Sequence, residues 1–175
     1  MAFSNKRPML TVKETPKAPL LARRGRGIIT LSREEKVKIS VVIITYNESR
    51  IIRHTLSRLW WCDEIVIVDS HSTDDTVAIC RELGCRVFLR PFEGYGSQKQ
   101  FAVSMAKNDW VLNLDADEVL SDPLIVEIIM EFMREPGVAG YEIPMNLVFL
   151  GKEFCYGRES GRTFLRLFQI GRAHV

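Results

Sequence analysis

From Lys38 onward, apolar runs of strand length alternate with segments whose apolar residues recur at three- and four-residue steps. No other feature limits the possible folds so much. A helix between two strands carries the chain back to its starting edge, so consecutive strands lie parallel in one sheet with helices covering its faces. The expected class is α/β, with a mostly parallel sheet flanked by helices.

The first strand is expected in ISVVIITY (residues 39–46), apolar throughout as a strand buried on both faces must be. Asn47 or Ser49 is placed to cap a helix carrying Ile51, Ile52, Leu56, Leu59 and Trp60 on one face. EIVIVD (64–69) forms the second strand, and SHSTDDT (70–76) leads into a helix capped by Ser72 or Thr73 and stopped by Gly84. CRVFLR (85–90) is a third strand, FEGYGSQ (92–98) a glycine-containing loop, 99–107 a third helix and WVLNLD (110–115) a fourth strand. Ser121, Asp122 and Pro123 open a fourth helix with an apolar face of Leu124, Ile125, Ile128, Ile129, Phe132 and Met133, ended by Glu135, Pro136 and Gly137. VAGYEIPM (138–145) and NLVFLG (146–151) are two further strand candidates.

Open parallel sheets bind ligands at the carboxyl ends of their strands, where loops and helix amino termini converge. The unusual polar residues fall at those ends: Thr45, Tyr46, Asn47 and Glu48 after the first strand, Asp69, Ser70, Ser72 and Asp74 after the second, and Asp115, Asp117 and Glu118 after the fourth. So acidic a cleft edge needs a cation. On an extended DADE segment Asp115 and Asp117 alternate with Ala116 and project to the same side, so they can share a divalent ion or split its duties with a bound diphosphate. All-oxygen ligands without a neighbouring His or Cys cluster favour Mg2+ or Mn2+ over Zn2+. Acidic residues favoured beside a helix amino terminus are the plainer explanation of the same pattern.

With 175 residues, 46% hydrophobic and 26% charged, the chain suits one globular domain with a buried core. No apolar run approaches the roughly 20 residues that span a bilayer, and the first residues lack the apolar centre of a secretory signal, so the cytoplasm is the expected location. Cys62, Cys80, Cys85 and Cys155 form no CxxC pair and are expected to be reduced, mostly buried small hydrophobes. The formal charge of +2 hides an asymmetry, since residues 1–38 hold ten Lys or Arg against three Glu, which is +7 and leaves −5 for the remainder. Residues 1–38 are expected to be a flexible basic arm, solvated or in peripheral contact with an anionic membrane. Phe3 is its only aromatic residue, so it lacks the stacking surface that single-stranded nucleic acid needs, and no nucleic-acid partner is expected.

The ordered set VVIITYNE (41–48), VIVDSHSTDDT (66–76) and VLNLDADE (111–118) resembles the nucleotide-sugar-dependent glycosyltransferases of family 2, which have the GT-A fold and invert the anomeric centre. FEGYGSQKQFA (92–102) and FLGKEFCYGRESGRTFLRLF (149–168) are similar to the bacterial branch that adds glucose or a related sugar to the lipopolysaccharide inner core. The resemblance implies a Rossmann-like GT-A domain over residues 39–169, incomplete at its carboxyl end, that takes a UDP-sugar and passes the sugar to a lipopolysaccharide-core or other glycan or lipid acceptor. Residue by residue, it implies that Thr45, Tyr46, Asn47 and Glu48 border the nucleotide and that Asp69 accepts from the base. Asp115 then lies near the ribose or the metal, and Asp117 is the principal ligand of Mg2+ or Mn2+. Ser72 belongs to the same donor-binding set. Gly94 and Gly96 let a loop backbone approach the nucleotide and Lys99 offers charge to a phosphate, a plain loop and a solvated lysine being equal alternatives. Family members commonly have glycine where this chain has His71, whose side chain is expected to face solvent.

Inversion in one displacement requires a general base for the acceptor hydroxyl. Glu142, Glu153 and Glu159 are the candidates, none in a matching motif, and the family's acceptor half normally continues further, so the base is expected beyond Gln169. IGRAHV (170–175) can be written in codons that resemble a common sequencing adapter, and these residues are expected not to be natural protein. Two other classes fit part of the pattern. One is a non-catalytic nucleotide-sugar-binding fragment. The other is a haloacid-dehalogenase-type phosphatase, which would carry its DxD on the first strand rather than the fourth and would leave the TYNE and DSHSTDD turns without a role. A sugar nucleotidyltransferase would open with a glycine-rich loop, which TYNESR (45–50) is not.

Overall fold

The computed structural model describes residues 9–11, 37–134, 136–149, 152–153 and 162–172. Among the described residues nine strands form one sheet: β1 (Met9–Thr11), β2 (Val37–Thr45), β3 (Cys62–Asp69), β4 (Arg86–Leu89), β5 (Trp110–Asp115), β6 (Glu118–Val119), β7 (Gly140–Phe149), β8 (Lys152–Glu153) and β9 (Arg162–Gln169). Four helices, α1 (Ile52–Ser57), α2 (Thr76–Glu82), α3 (Tyr95–Ser104) and α4 (Asp122–Phe132), connect them. The strand order is β4-β3-β2-β5-β9-β7-β1-β6, with β8 paired to β7. β4, β3, β2 and β5 are mutually parallel, and β9 joins β5 antiparallel. The expected mostly parallel, helix-flanked sheet is therefore observed, extended by an antiparallel half.

The apolar β2 run is buried because both of its faces are covered. Ile39, Val41 and Ile43 pack with Ile52, Leu56, Leu59, Trp61, Leu112, Leu114, Ile125 and Ile128 on one side. Val42 packs with Val66, Val68, Ala102 and Val111 on the other, beneath α3. Each fully buried Ile or Leu contributes about 1.5–3 kcal/mol relative to exposure.

Several element boundaries differ from expectation. α1 ends at Ser57, so Trp60 is 51% exposed while Trp61 turns inward at 1%, its indole N–H donating to the Arg58 carbonyl at 3.0 Å. Neither Asn47 nor Ser49 caps α1, and neither Ser72 nor Thr73 caps α2, whose N-cap is Asp75. Gly84 does follow α2 with φ +78°, the left-handed conformation that glycine adopts without strain. α3 begins at Tyr95, which places Gly96 in its first turn rather than in a loop. α4 starts as expected, with Ser121 Oγ accepting from Leu124 N at 3.4 Å and Pro123 in the first turn. The two strand candidates after α4 are one strand, β7, continuous through Pro144. Of the expected arm, Met9–Thr11 pairs with β7 and β6, and β2 begins two residues earlier than Ile39; the rest of the arm lies outside the described residues. No helix among the described residues is long and apolar enough to cross a membrane. Cys62, Cys80 and Cys85 are buried, as expected. Cys155 lies outside the described residues.

Candidate functional site

Register brings the polar strand ends level. Thr45 is paired with Asp69 across β2 and β3, Ile44 with Asp115 across β2 and β5, and Asp69 with Leu89 across β3 and β4. The turns after β2 and β3 then lock together through side chains. Asp69 is fully buried, and both of its oxygens are engaged: Ser72 N donates to Oδ1 at 2.7 Å, while the hydroxyls of Thr45 and Ser72 donate to Oδ2 at 2.7 and 2.6 Å. Asn47 N donates to Ser72 Oγ at 2.8 Å, and Asn47 Oδ1 accepts from Thr73 N at 2.8 Å. Glu48 N donates to Thr76 Oγ1 at 2.8 Å. Asp74 accepts from Ser49 N at 3.1 Å and Thr76 N at 3.0 Å. Desolvation works against the charged form of Asp74, but these donors and the Thr76 hydroxyl outweigh it and hold its carboxyl down at about 2.

Two turn residues carry positive φ, Asn47 at +55° and His71 at +60°. The left-handed conformation at His71 is one that glycine adopts without strain, and the His71 side chain is exposed, as expected. Tyr46 is 57% exposed.

The β5 end departs from the expected extended DADE segment. The strand stops at Asp115, Ala116 and Asp117 form a turn, and Glu118 starts β6. Ala116 is buried, and its carbonyl accepts from the Thr55 hydroxyl at 2.7 Å, tying the turn to α1. Asp117 is half-buried on that turn. Glu118 does not line an open rim. At 1% exposure its Oε1 lies 2.5 Å from Arg166 Nη2, and its Oε2 accepts from Asp115 N at 2.9 Å. Burial pushes the Glu118 carboxyl up to about 7 even though the Arg166 guanidinium pulls the other way.

Asp115 is similarly supplied with charge. Lys99 Nζ lies 2.7 Å from its Oδ1 and Arg166 Nη2 3.5 Å from its Oδ2. The carboxylates therefore tolerate one another partly through the chain's own cations, Lys99 and Arg166. Among the described residues no three His, Cys, Asp or Glu side chains form a metal cluster. A hard divalent ion fits here only in the way Mg2+ is commonly bound, by one or two carboxylates with phosphate and water oxygens completing the shell; Asp115 and Asp117 are the carboxylates available on this turn.

Comparison with known proteins gives the family. Residues 40–155 match the model of Glycosyl transferase family 2. The chain belongs to that family. Over 119 residues it is 45% identical to the uncharacterized glycosyltransferase RP128 of Rickettsia prowazekii, covering 66% of this chain and 41% of the relative. Over 143 residues it is 32% identical to the lipopolysaccharide core biosynthesis glycosyltransferase LpsC of Rhizobium meliloti, covering 78% of this chain and 53% of that protein. The chain thus spans about half or less of the length of these relatives. Among solved structures, the mannosyltransferase PcManGT from Pyrobaculum calidifontis, in complex with GDP-Man and Mn2+, is 23% identical with a TM-score of 0.49, covering 62% of this chain and 35% of that one.

Within this family 2 domain, Thr45, Asn47, Asp69 and Ser72 form one hydrogen-bonded unit, and Asp115 and Lys99 form an ion pair. Gly94, with φ +117°, precedes α3. Glu142 lies on β7, its Oε2 accepting from Thr163 Oγ1 at 2.6 Å on an exposed face. Glu153 is described only as part of β8, and Glu159 lies outside the described residues. Sequence reasoning missed Arg166, Thr55 and Gln98. Arg166 carried a signal, being a cation amid the apolar alternation of β9, but nothing local says which strand β9 joins.

Proposed function

We propose that the protein is a metal-dependent inverting glycosyltransferase that moves a sugar, glucose on the present reading, from a UDP-sugar to a lipopolysaccharide-core or other glycan or lipid acceptor. The reading is carried by one observation. In a family 2 chain, the turns after β2, β3 and β5 stand level at one sheet end, with the Ala116–Asp117 turn held by Thr55. Thr45, Tyr46, Asn47, Glu48 and Ser72 would border the nucleotide, and Asp69 would act by fixing Thr45 and Ser72 in place. Asp117, helped by Asp115, would hold Mg2+ or Mn2+. The ion, when bound, stabilises the negative charge that builds on the departing diphosphate more than it stabilises the ground state. Lys99, 2.7 Å from Asp115, supplies a further positive charge where the phosphates would lie. The LpsC name supports the lipopolysaccharide-core acceptor. Such an acceptor suits action in the cytoplasm at the inner membrane face, with the basic residues 1–38 as an electrostatic handle.

Calorimetry with UDP and Mn2+ tests donor capture. The wild type is expected to bind the pair, and Asp117→Asn to lose at least tenfold in affinity. Undiminished binding by the variant would refute the assignment of Asp117. Release of UDP from UDP-glucose with a lipopolysaccharide-core acceptor then tests transfer. Binding without transfer would favour the second reading, a donor-binding part of the longer proteins that the chain resembles, which its 41% and 53% coverage of those relatives supports.

A further inference from the structure

The short helix α1 reaches from one of the candidate turns to another. At its start the amides of Ile51 and Ile52 both donate to the Glu48 carbonyl, at 3.0 and 2.9 Å, so the helix grows directly out of the turn that follows β2. Its far end grips the segment after β5 at two points. The Thr55 hydroxyl donates to the Ala116 carbonyl at 2.7 Å, and three residues on, Arg58 Nε donates to the Leu120 carbonyl at 3.2 Å. Residues three apart are neighbours on a helix surface, so one patch of α1 makes both grips. The same guanidinium reaches the Asp122 carboxylate through Nη2. Thr55 and Arg58 thus bracket residues 116–120, the stretch that carries Asp117. Ile52, Thr55 and Leu56 are buried, which anchors the helix between the two turns.

Stability alone gives Arg58 little to do at Asp122. That carboxylate is 84% exposed, where an ion pair contributes little, and Ser121 already caps α4. The guanidinium instead holds the Leu120 backbone, and its planar fork fixes two acceptors at a set angle, as the compact ammonium of lysine on its flexible stem does not. Mg2+ demands a near-ideal octahedral shell, so carboxylates on a turn that can shift at one end bind it less well than the same carboxylates on a turn clamped at both ends. We propose that Arg58 is a positioning residue for divalent-metal binding, holding the Asp117 turn in a fixed relation to the turn after β2 through the Leu120 carbonyl. It acts through the backbone of residues 116–120.

The inference rests on the proposed metal-assisted donor binding, and the test separates the two. Calorimetry measures UDP affinity with and without Mn2+ for wild type, Arg58→Met, Arg58→Lys and Arg53→Met. In the wild type Mn2+ is expected to raise UDP affinity by about tenfold or more. Arg58→Met should cut that gain to about threefold or less and leave affinity for UDP alone within about twofold of wild type, because the turn after β2 is untouched. Arg58→Lys keeps the charge without the fork, and its gain should fall short of the wild type's. Arg53→Met removes an arginine of the same helix that pairs with Glu82, and it should keep the full gain. Should urea unfolding show that Arg58→Met folds poorly, Arg58→Lys decides. A wild-type gain in the deciding variant overturns this inference while leaving donor binding intact. So does a loss of UDP affinity that is equal with and without Mn2+, or a loss of gain that Arg53→Met shares. Wild-type UDP binding that Mn2+ does not alter overturns this inference and the metal dependence together, and absence of UDP binding overturns the donor reading as well.

Discussion

Arg166→Met removes a guanidinium from a carboxylate that has almost no solvent. Glu118 is 1% exposed and the Arg166 side chain 11%. Breaking a buried ion pair from one side costs about 3–5 kcal/mol, because the remaining charge is left uncompensated. Protonation of Glu118 relieves part of that cost, which makes the loss depend on pH. Burial has already raised Glu118 from an ordinary 4.5 to about 7. A folded value above the unfolded one means that the folded state binds the proton more tightly. This group's contribution is therefore full below pH 4.5 and is lost as the pH rises to about 7, a span worth roughly 3 kcal/mol. Without Arg166 the folded value climbs further, so the variant keeps losing stability above pH 7, where the wild type has levelled off. The deficit should widen by about 1.4 kcal/mol per pH unit above pH 7 and shrink at pH 6 to lost hydrogen bonding and packing, about 1–2 kcal/mol. Urea unfolding at pH 6, 7 and 8 measures it by tryptophan fluorescence, with Trp110 packed edge-on to Phe132 at 5.0 Å as an interior reporter. The double variant Arg166→Met/Glu118→Leu should recover most of the loss, since an apolar pair of similar volume has no charge to desolvate. A deficit that is equal at pH 6 and pH 8 would refute the reasoning.

Thr55→Val leaves the buried Ala116 carbonyl without its donor and should lower stability by about 1–3 kcal/mol. Because Asp117 shares that turn, joint affinity for UDP and Mn2+ should fall too, and a variant with wild-type urea midpoint and calorimetry would contradict the assigned role. Burial pushes the Cys80 and Cys85 thiols up to about 12, so at pH 8 both should resist iodoacetamide in the native protein and react after urea unfolding. Mass spectrometry reads the labelling, and rapid alkylation of the folded chain would show that these sites open to solvent.

The parallel half of the sheet was legible because its signals are local. ISVVIITY and WVLNLD are apolar over strand length, and only strands covered on both faces can keep such runs dry. The positions of Thr45, Asp69 and Asp115 at strand ends followed from the same runs. Trp60 and Trp61 were not separable, because a helix ending three residues earlier reverses which of two adjacent indoles is buried. DADE was misread as extended because two aspartates around an alanine fit a strand or a turn equally well. The Thr55 hydroxyl on the Ala116 carbonyl, 61 residues away in the chain, favours the turn.

The order of apolar runs and polar strand ends determined by itself that a parallel α/β sheet would carry its acidic residues at one edge, since side-chain period and strand length are properties of neighbouring residues. Only the tertiary structure decided how those acids are neutralised. β9 is placed antiparallel beside β5, which sets Arg166 against Glu118 and Asp115, residues 48 and 51 positions away. Charge acts through space, and that pairing is invisible until the strand order is known.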